Sequence, residues 1–156
     1  NGTVTAANSS SISDGAAALL MMKESIAYKR GLKPLARIIC HETNSQEPKW
    51  FTTAPVGAIR KVLEKANWQV QNVDLFEINE AFAVVPMAVM KELSIPDHIL
   101  NVNGGACALG HPVGASGTRI IATLINALLK NNLKKGVASL CIGGGEATAL
   151  ALELVN

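Results

Sequence analysis

The stretch that decides the fold is GVASLCI-GGG-EATALALELV, which occupies residues 136–155. Two apolar runs, 136–142 and 146–155, are separated by three glycines, a pattern typical of two antiparallel strands joined by a tight turn. Upstream of it, segments with strand character alternate with segments that have helical periodicity. Such alternation predicts an α/β layered domain, and the terminal hairpin makes its sheet mixed.

Five strands and four helices are predicted in all. The strands are expected at residues 35–41, 73–78, 99–103, 136–142 and 146–155. The helices that cover this mixed five-stranded sheet are expected at residues 23–30, 55–68, 79–93 and 114–131. Apolar side chains recur at helical spacing in the second and fourth helices. The third is apolar on most faces and contains Pro86, which can kink a helix.

Three other segments carry weaker signals. Residues 15–22 form a continuous apolar run that fits either a buried strand or the start of a helix, because periodicity cannot separate the two. Residues 43–54 are polar and predict a loop. Residues 1–14 are rich in Ser, Thr, Asn and Gly, and they predict a short extended piece followed by a loop.

The composition excludes several classes of protein. The 156 residues suit one domain, and 49% hydrophobic against 17% charged residues allow a substantial core. A net charge of +2 is too small to indicate nucleic-acid binding, and no apolar stretch reaches the roughly 18 residues of a membrane span. Three cysteines without short-range pairing favour a reducing compartment over a disulfide framework.

The start of the chain is also informative. It begins Asn-Gly-Thr, without Met and without the charged and apolar regions of a signal peptide. We therefore expect the first residues to be the interior of a longer polypeptide, with a processed or trimmed start as the alternative.

Two polar residues are placed where chemistry can occur. Asn79 stands where a strand ends and a helix is predicted to begin, and open α/β sheets bind ligands beyond the carboxyl ends of their strands. The alternative is that Asn79 caps the helix. His111, fixed between Gly110 and Pro112, can accept or donate a proton near neutral pH. The alternative is a structural histidine bonded to the backbone of its loop.

Cys141 ends a strand that is predicted to be buried, directly before the glycine turn. It is either an inert core cysteine or, if a neighbouring base lowers its pKa, a proton acceptor. The glycines after it, Gly143 first, either form only a turn or direct backbone N–H groups at a developing oxyanion. Cys40 and Cys107 are expected to be packing residues, since no further Cys/His cluster completes a zinc site.

Three segments taken together resemble the active-site motifs of the thiolase family. They are NEAF at residues 79–82, the loop at residues 103–117 that contains Gly-His-Pro, and CIGGG at residues 141–145. The opening GTVTAAN at residues 2–8 is also similar, so the resemblance covers essentially the whole chain. It implies a thiolase-like layered fold, with residues 1–22 as the end of the N-terminal domain or a linking strand and residues 23–156 as the C-terminal domain.

The resemblance also implies a reaction and its residues. Thiolases reversibly condense two acetyl-CoA molecules to acetoacetyl-CoA and CoA. By resemblance, His111 activates the nucleophilic thiol and donates to the thioester oxygen, and Asn79 orients a water in that first oxyanion hole. Cys141 deprotonates the methyl carbon of the second acetyl-CoA. The Gly143 N–H contributes to the second oxyanion hole.

Two further residues and the subtype follow from the same resemblance. Ala81 and Phe82 are expected to line the acyl or pantetheine end of the pocket. CIGGG and the run 101–105 look more like the biosynthetic acetoacetyl-CoA thiolases than the long-chain degradative ones. Glu146 departs from the family, where related sequences often carry Met, and it places a charged group beside the site. Coenzyme A thioesters enter as substrates, and no cofactor or metal is implied.

One part of the thiolase site is missing from this sequence. The family's acyl-accepting cysteine lies in its N-terminal half, and neither Cys40 nor Cys107 has a matching context. The chain alone is therefore expected to be inactive, with the N-terminal half as a partner and a homo-oligomer, dimer or tetramer, as the intact state. The alternatives are a 3-ketoacyl-CoA thiolase of broader chain length, a non-catalytic CoA-binding or subunit-interaction fragment, and a related condensing enzyme. The expected location is cytoplasmic, with mitochondrial as the alternative.

Overall fold

A mixed four-stranded sheet lies at the centre of the computed structural model, which describes residues 2–155. Its strands are β1 (Ala36–Ser45), β2 (Leu75–Ile78), β3 (Lys135–Ile142) and β4 (Glu146–Leu154), in the order β1-β4-β3-β2. β4 is antiparallel to both of its neighbours, whereas β2 and β3 are parallel. The predicted hairpin, α/β class and mixed sheet are confirmed, but the sheet has four strands and not five.

Helices cover both faces of the sheet. They are α1 (Glu24–Lys29), α2 (Ala54–Ala66), α3 (Val84–Leu93), α4 (Ala106–Leu109) and α5 (Ser116–Lys130). Short 3-10 helices occur at Ala6–Asn8, Pro48–Thr53, Val70–Asn72 and Asp97–Ile99. Within residues 2–155, no helix has both the length and the apolar character that crossing a membrane requires.

Two apolar clusters hold these layers together. The first joins the buried side of α2 to one face of the sheet, and includes Val56, Ile59, Val62, Phe76, Ile78, Val137, Cys141 and Ala149. The second joins α5 to the other face, and includes Leu75, Ile120, Leu124, Leu128, Ala138 and Leu152. Because successive strand residues face opposite sides, Glu77 and Asn79 follow Leu75 on the α5 side of β2. Two polar side chains are thereby placed under the start of α5.

The predicted strand at residues 99–103 is wrong, because a side chain takes the place of strand pairing. The backbone makes a single bridge, between Leu100 and Phe76, and then turns at Asn101, which has a left-handed φ of 48°. The Asn101 Oδ1 accepts from the Ile78 N–H at 2.7 Å and its Nδ2 donates to the Ile78 carbonyl at 2.8 Å. These two bonds satisfy the backbone groups of β2 that a fifth strand would otherwise pair.

The predicted helix at residues 79–93 starts later than expected, at Val84. The N-terminal segment holds the preceding residues out of the helix: the Ser10 N–H donates to the Ala81 carbonyl, and the Ala83 N–H donates to the Asn8 carbonyl. Asn79 therefore does not cap the helix. Pro86 is the third helical residue, where an N–H has no partner within the helix, so it does not interrupt the hydrogen-bond pattern.

The remaining predicted segments differ in how well they agree with the structure. The predicted loop at residues 43–54 is wrong, since β1 continues to Ser45 by pairing with Glu146 and a 3-10 helix covers Pro48–Thr53. Residues 15–22 form neither a strand nor a helix and are mostly exposed. The predicted helices at 23–30, 55–68 and 114–131 are confirmed by α1, α2 and α5, with small shifts at their ends.

The turn between β3 and β4 requires glycine at Gly145. This residue has a φ of +103°, and a Cβ there would lie 2.3 Å from the backbone oxygen of Gln46. We expect Gly145→Ala to lower the free energy of unfolding by about 1–3 kcal/mol, through backbone strain at this φ, in urea unfolding. Gly143→Ala is the matched control, since a Cβ there meets nothing within 4 Å. Equal stability of the two variants would show that the turn does not impose this requirement.

Candidate active site

Asn79 and His111 come into contact at the carboxyl end of β2. Asn79 follows the strand directly, is fully buried, and its N–H donates to the Ser139 carbonyl of β3 at 2.9 Å. His111 lies in the loop before α5. The Asn79 Nδ2 and the His111 Nε2 are 3.3 Å apart. The structure thus brings together two predicted site residues that are 32 positions apart in the chain.

Hydrogen bonds around His111 favour one tautomer. The His111 Nδ1 is 2.6 Å from the Ser116 Oγ, and that hydroxyl donates to the Pro112 carbonyl at 3.1 Å. Since the hydroxyl proton is used there, the hydroxyl oxygen accepts from an Nδ1–H. The lone pair of the imidazole then lies on Nε2, where Asn79 Nδ2 can donate to it. Burial, with the nearby Arg119 charge, lowers the pKa of His111, which favours the neutral ring.

The N-terminal segment fixes the backbone of the His111 loop. The His111 N–H donates to the Ser11 carbonyl at 2.8 Å, and Ile12 forms a parallel bridge with His111. Gly110 has a φ of +89°, and a Cβ there would lie 2.1 Å from the Ser13 Oγ. The loop therefore depends on glycine at 110 and on close packing of residues 11–13.

A buried ion pair lies behind Asn79. The Arg119 Nη1 donates to the Glu77 Oε1 at 3.0 Å, and the Arg119 Nη2 donates to the Asn79 Oδ1 at 3.3 Å. Glu77 is 2% exposed. Its burial raises the pKa of Glu77 to about 7, although the charge of Arg119 and its hydrogen bond oppose the shift. Neither residue was predicted. The available signal was a carboxylate inside the otherwise apolar strand LFEI.

Glu80 joins the loop after β2 to residues 101–107 through hydrogen bonds. Its Oε1 accepts from the Asn101 Nδ2 and its Oε2 from the Cys107 N–H, both at 3.1 Å. A Cβ at Gly105 would lie 2.4 Å from the Glu80 carboxyl carbon, so this close approach requires glycine. Glu80 was not among the predicted site residues, although it stands within the NEAF motif.

Cys141 lies at the end of β3, on the face of the sheet that α2 covers. It is 7% exposed, and burial raises the pKa of its thiol. Ala81 and Phe82 pack against the same apolar cluster, and the Phe82 ring meets Phe51 edge to face at 6.0 Å. Within residues 2–155, the structure records no hydrogen bond from the Cys141 thiol to His111 or Asn79.

The glycine turn beyond Cys141 presents backbone at the surface. Gly143 is exposed, with open space where a Cβ would be. Glu146 begins β4, and its Oε2 is buried without a hydrogen-bond partner among the described residues. The Cys40 thiol donates to the Val62 carbonyl at 3.4 Å, which agrees with a packing role. In the part of the chain that the structure describes, no three His, Cys, Asp or Glu residues are grouped so as to hold a metal ion.

Comparison with known proteins identifies the family. Residues 32–154 match the family described as "Thiolase, C-terminal domain", and residues 1–25 match "Thiolase, N-terminal domain". The chain belongs to the thiolase family. It is 57% identical over 153 residues to a probable acetyl-CoA acetyltransferase of Dictyostelium discoideum, a match that covers 98% of this thiolase chain and 37% of the relative.

Solved structures of other thiolases have the same fold. The crystal structure of the Bacillus anthracis acetyl-CoA acetyltransferase superposes with a TM-score of 0.96 at 47% identity, covering 99% of this chain and 39% of that one. Human mitochondrial 3-ketoacyl-CoA thiolase in complex with CoA gives a TM-score of 0.92 at 40% identity, covering 99% and 39%. This thiolase chain therefore spans well under half the length of these relatives.

Proposed function

We propose that this chain is the C-terminal part of an acetyl-CoA acetyltransferase, which reversibly condenses two acetyl-CoA molecules to acetoacetyl-CoA and CoA. The observation that carries the proposal is the 3.3 Å contact between Asn79 Nδ2 and His111 Nε2 at the carboxyl end of β2. The relatives named acetyl-CoA acetyltransferase, at 57% and 47% identity, support this reaction over others of the family.

His111 is the proton carrier of the first half-reaction in this proposal. Its neutral ring carries a lone pair on Nε2, which can take the proton of a nucleophilic thiol as that thiol attacks the acetyl thioester. The resulting Nε2–H can then donate to the thioester oxygen. Asn79, held beside Nε2, orients a water that completes the same oxyanion hole. The acetyl group moves to the thiol, and CoA leaves with a proton.

Cys141 is the base of the second half-reaction. As a thiolate, Cys141 takes a proton from the methyl carbon of the second acetyl-CoA. The enolate attacks the enzyme thioester and releases the nucleophilic thiolate, to which the Cys141 thiol then passes that proton. Burial raises the pKa of the Cys141 thiol, which makes its thiolate a stronger base and its thiol the form that donates a proton in the reverse direction, thiolysis. The exposed Gly143 N–H supplies the oxyanion donor for the enolate. Ala81 and Phe82 border the acyl pocket.

A partner segment completes the site in this proposal. The nucleophilic cysteine of the family belongs to its N-terminal half, and this chain spans 37–39% of its relatives. An apolar groove of about 560 Å³ lies between residues 17–21 and the side of α5, lined by Ile121, Leu140 and Leu150 among others. The side chains of Leu20 and Met21 beside it are 83% and 65% exposed. Burial of this surface favours association with an N-terminal half.

Thiolysis of acetoacetyl-CoA by a hybrid enzyme tests the proposal. In the hybrid, this chain replaces the matching 39% of the Bacillus anthracis acetyl-CoA acetyltransferase. We expect the hybrid to consume acetoacetyl-CoA and CoA at a rate that His111→Ala lowers by roughly 10²-fold or more. The 156-residue chain alone is expected to show no turnover.

Other outcomes would change the assignment. A folded hybrid that cleaves longer 3-ketoacyl-CoA thioesters faster than acetoacetyl-CoA would favour a thiolase of broader chain length. A folded hybrid that binds CoA without cleaving any thioester would indicate a binding module, and turnover by the chain alone would show that the nucleophile lies within it.

A further inference from the structure

We propose that Glu77 and Arg119 are positioning residues for this site, because together they fix the Asn79 amide with its Nδ2 directed at His111 Nε2. The structural part of this inference stands on geometry alone. Its kinetic consequence rests on the proposed function.

The guanidinium of Arg119 fixes the orientation of the amide. Arginine has five N–H donors and no acceptor, so the amide atom that faces Arg119 must be the oxygen. The Nη2–Oδ1 distance is 3.3 Å, and the other nitrogen, Nη1, is held by the Glu77 carboxylate at 3.0 Å. With Oδ1 on Arg119, the Asn79 Nδ2 is left to face the imidazole. Neither a lysine nor a neutral side chain can occupy both positions in one plane.

One turn of α5 holds both Asn79 and His111 in place. Ser116 and Arg119 are three residues apart, so they lie on the same helix face. Ser116 contacts His111 at Nδ1, and Arg119 contacts Asn79 at Oδ1. On β2, Glu77 and Asn79 are two residues apart and face α5 together. The contact between Asn79 and His111 is therefore fixed at both ends by the register of α5 against β2.

The charges that face this cluster come from four groups. Glu77 is on β2 and Glu80 is on the loop after it, whereas His111 is on the loop before α5 and Arg119 is on α5. The charge of Glu80 affects the pKa of Glu77, and the charge of Arg119 affects the pKa of both Glu77 and His111. The positive charge of Arg119 lowers the pKa of His111. Its removal raises that pKa, because the imidazolium then loses a like-charged neighbour.

Release of the Asn79 amide also favours protonation of His111, as loss of the Arg119 charge does. An Asn79 side chain that has lost Arg119 can rotate to place Oδ1 at His111 Nε2. An oxygen there accepts from an imidazolium N–H but cannot donate to a neutral ring. Rotation therefore favours a ring with a proton on Nε2, as in the imidazolium, and such a ring cannot act as a base at Nε2. Both effects predict that the enzyme needs a higher pH to become active.

The test uses the hybrid enzyme with Arg119→Gln and Arg119→Lys. We expect Arg119→Gln to move the acid limb of the thiolysis pH profile, and the His111 titration followed by NMR, upward by about one pH unit. Arg119→Lys keeps the charge, so the limb stays in place, but kcat falls roughly tenfold or more because the amide is held less firmly. Arg60→Gln is the matched control, since Arg60 pairs with Glu92 at the surface.

The role of Glu77 is tested by a conservative rescue. Glu77→Met removes the acceptor for Arg119 Nη1 at similar length, and we expect the same loss of kcat as in Arg119→Lys. Glu77→Gln retains an acceptor oxygen and is expected to recover most of that loss. These variants also decide the matter if Arg119→Gln does not fold.

Several results would overturn the inference. They are an unchanged His111 titration in folded Arg119→Gln, a wild-type kcat in Arg119→Lys, or equal activity of the two Glu77 variants. An inactive parent hybrid would count against the proposed function only, because the NMR titration of His111 in that protein still tests the positioning role.

Discussion

Cys141→Ala in the hybrid enzyme is expected to lower the rate of acetyl-CoA condensation by about 10³-fold or more, while acetylation of the enzyme by acetyl-CoA stays measurable. The two half-reactions separate because the proposed roles of Cys141 and His111 separate. Alanine removes the only side-chain group assigned to take the methyl proton, and general acid–base catalysis contributes roughly 10²–10⁴-fold. In the proposed mechanism, acyl transfer to the nucleophile uses His111 and Asn79, which Cys141 does not contact through a hydrogen bond in the described residues.

The measurement compares two signals on one preparation. Condensation is followed by formation of acetoacetyl-CoA, and acetylation by incorporation of labelled acetyl groups into the protein. Cys40→Ala is the control for removal of a thiol, since its sulfur only donates to the Val62 carbonyl. It is expected to change both rates by less than about threefold, as for other substitutions outside the site. Equal loss of condensation and acetylation in Cys141→Ala would refute the separate role of this cysteine.

Asn101→Ala is expected to lower the free energy of unfolding by about 3–5 kcal/mol, since each buried polar group left unsatisfied costs about 1–3 kcal/mol. The substitution removes three hydrogen bonds at once, to the Ile78 N–H, the Ile78 carbonyl and the Glu80 carboxylate. Both atoms of Ile78 are on a fully buried strand residue, so water cannot replace the lost partners without opening the edge of the sheet.

Urea unfolding of the hybrid with an unchanged m-value would measure this loss. Asn126→Ala is the matched control, because the Asn126 side chain is exposed and donates only to the Ala122 carbonyl of its own helix. Its expected effect is within about 0.5 kcal/mol, as for other surface substitutions. A loss of less than about 1 kcal/mol in Asn101→Ala would mean that β2 does not depend on this side chain.

The parts of the fold that were predicted correctly have local signals. The hairpin of β3 and β4 follows from two apolar runs around three glycines, and α2 and α5 follow from periodicity over more than three turns. The predictions are wrong where contacts between residues that are distant in the sequence determine the structure. The Asn101 side chain pairs with the backbone of β2 in place of a fifth strand. Residues 8–10 hold Ala81 and Ala83 out of α3 through backbone hydrogen bonds. No local pattern contains that information.

The predictions for the site also divide between local motifs and contacts of distant residues. The resemblance selected Asn79, His111, Cys141 and Gly143, and of these the structure brings Asn79 and His111 into hydrogen-bonding distance. The catalytic roles themselves stay predictions. Glu77 and Arg119 were missed because a charge inside an apolar strand and a charge on an amphipathic helix are each unremarkable alone. Only the packing of α5 on β2 joins them into one ion pair.

The N-terminal segment has a consequence for dividing the hybrid enzyme into two polypeptides. Residues 8–13 are bonded to Ala81 and Ala83 on one side and to His111 on the other. A cut between residues 22 and 23, the predicted domain boundary, would leave these contacts to be rebuilt between separate molecules at every assembly. A cut upstream of residue 2 keeps them within one chain, so complementation of two separately expressed halves should be more efficient when the division is made there.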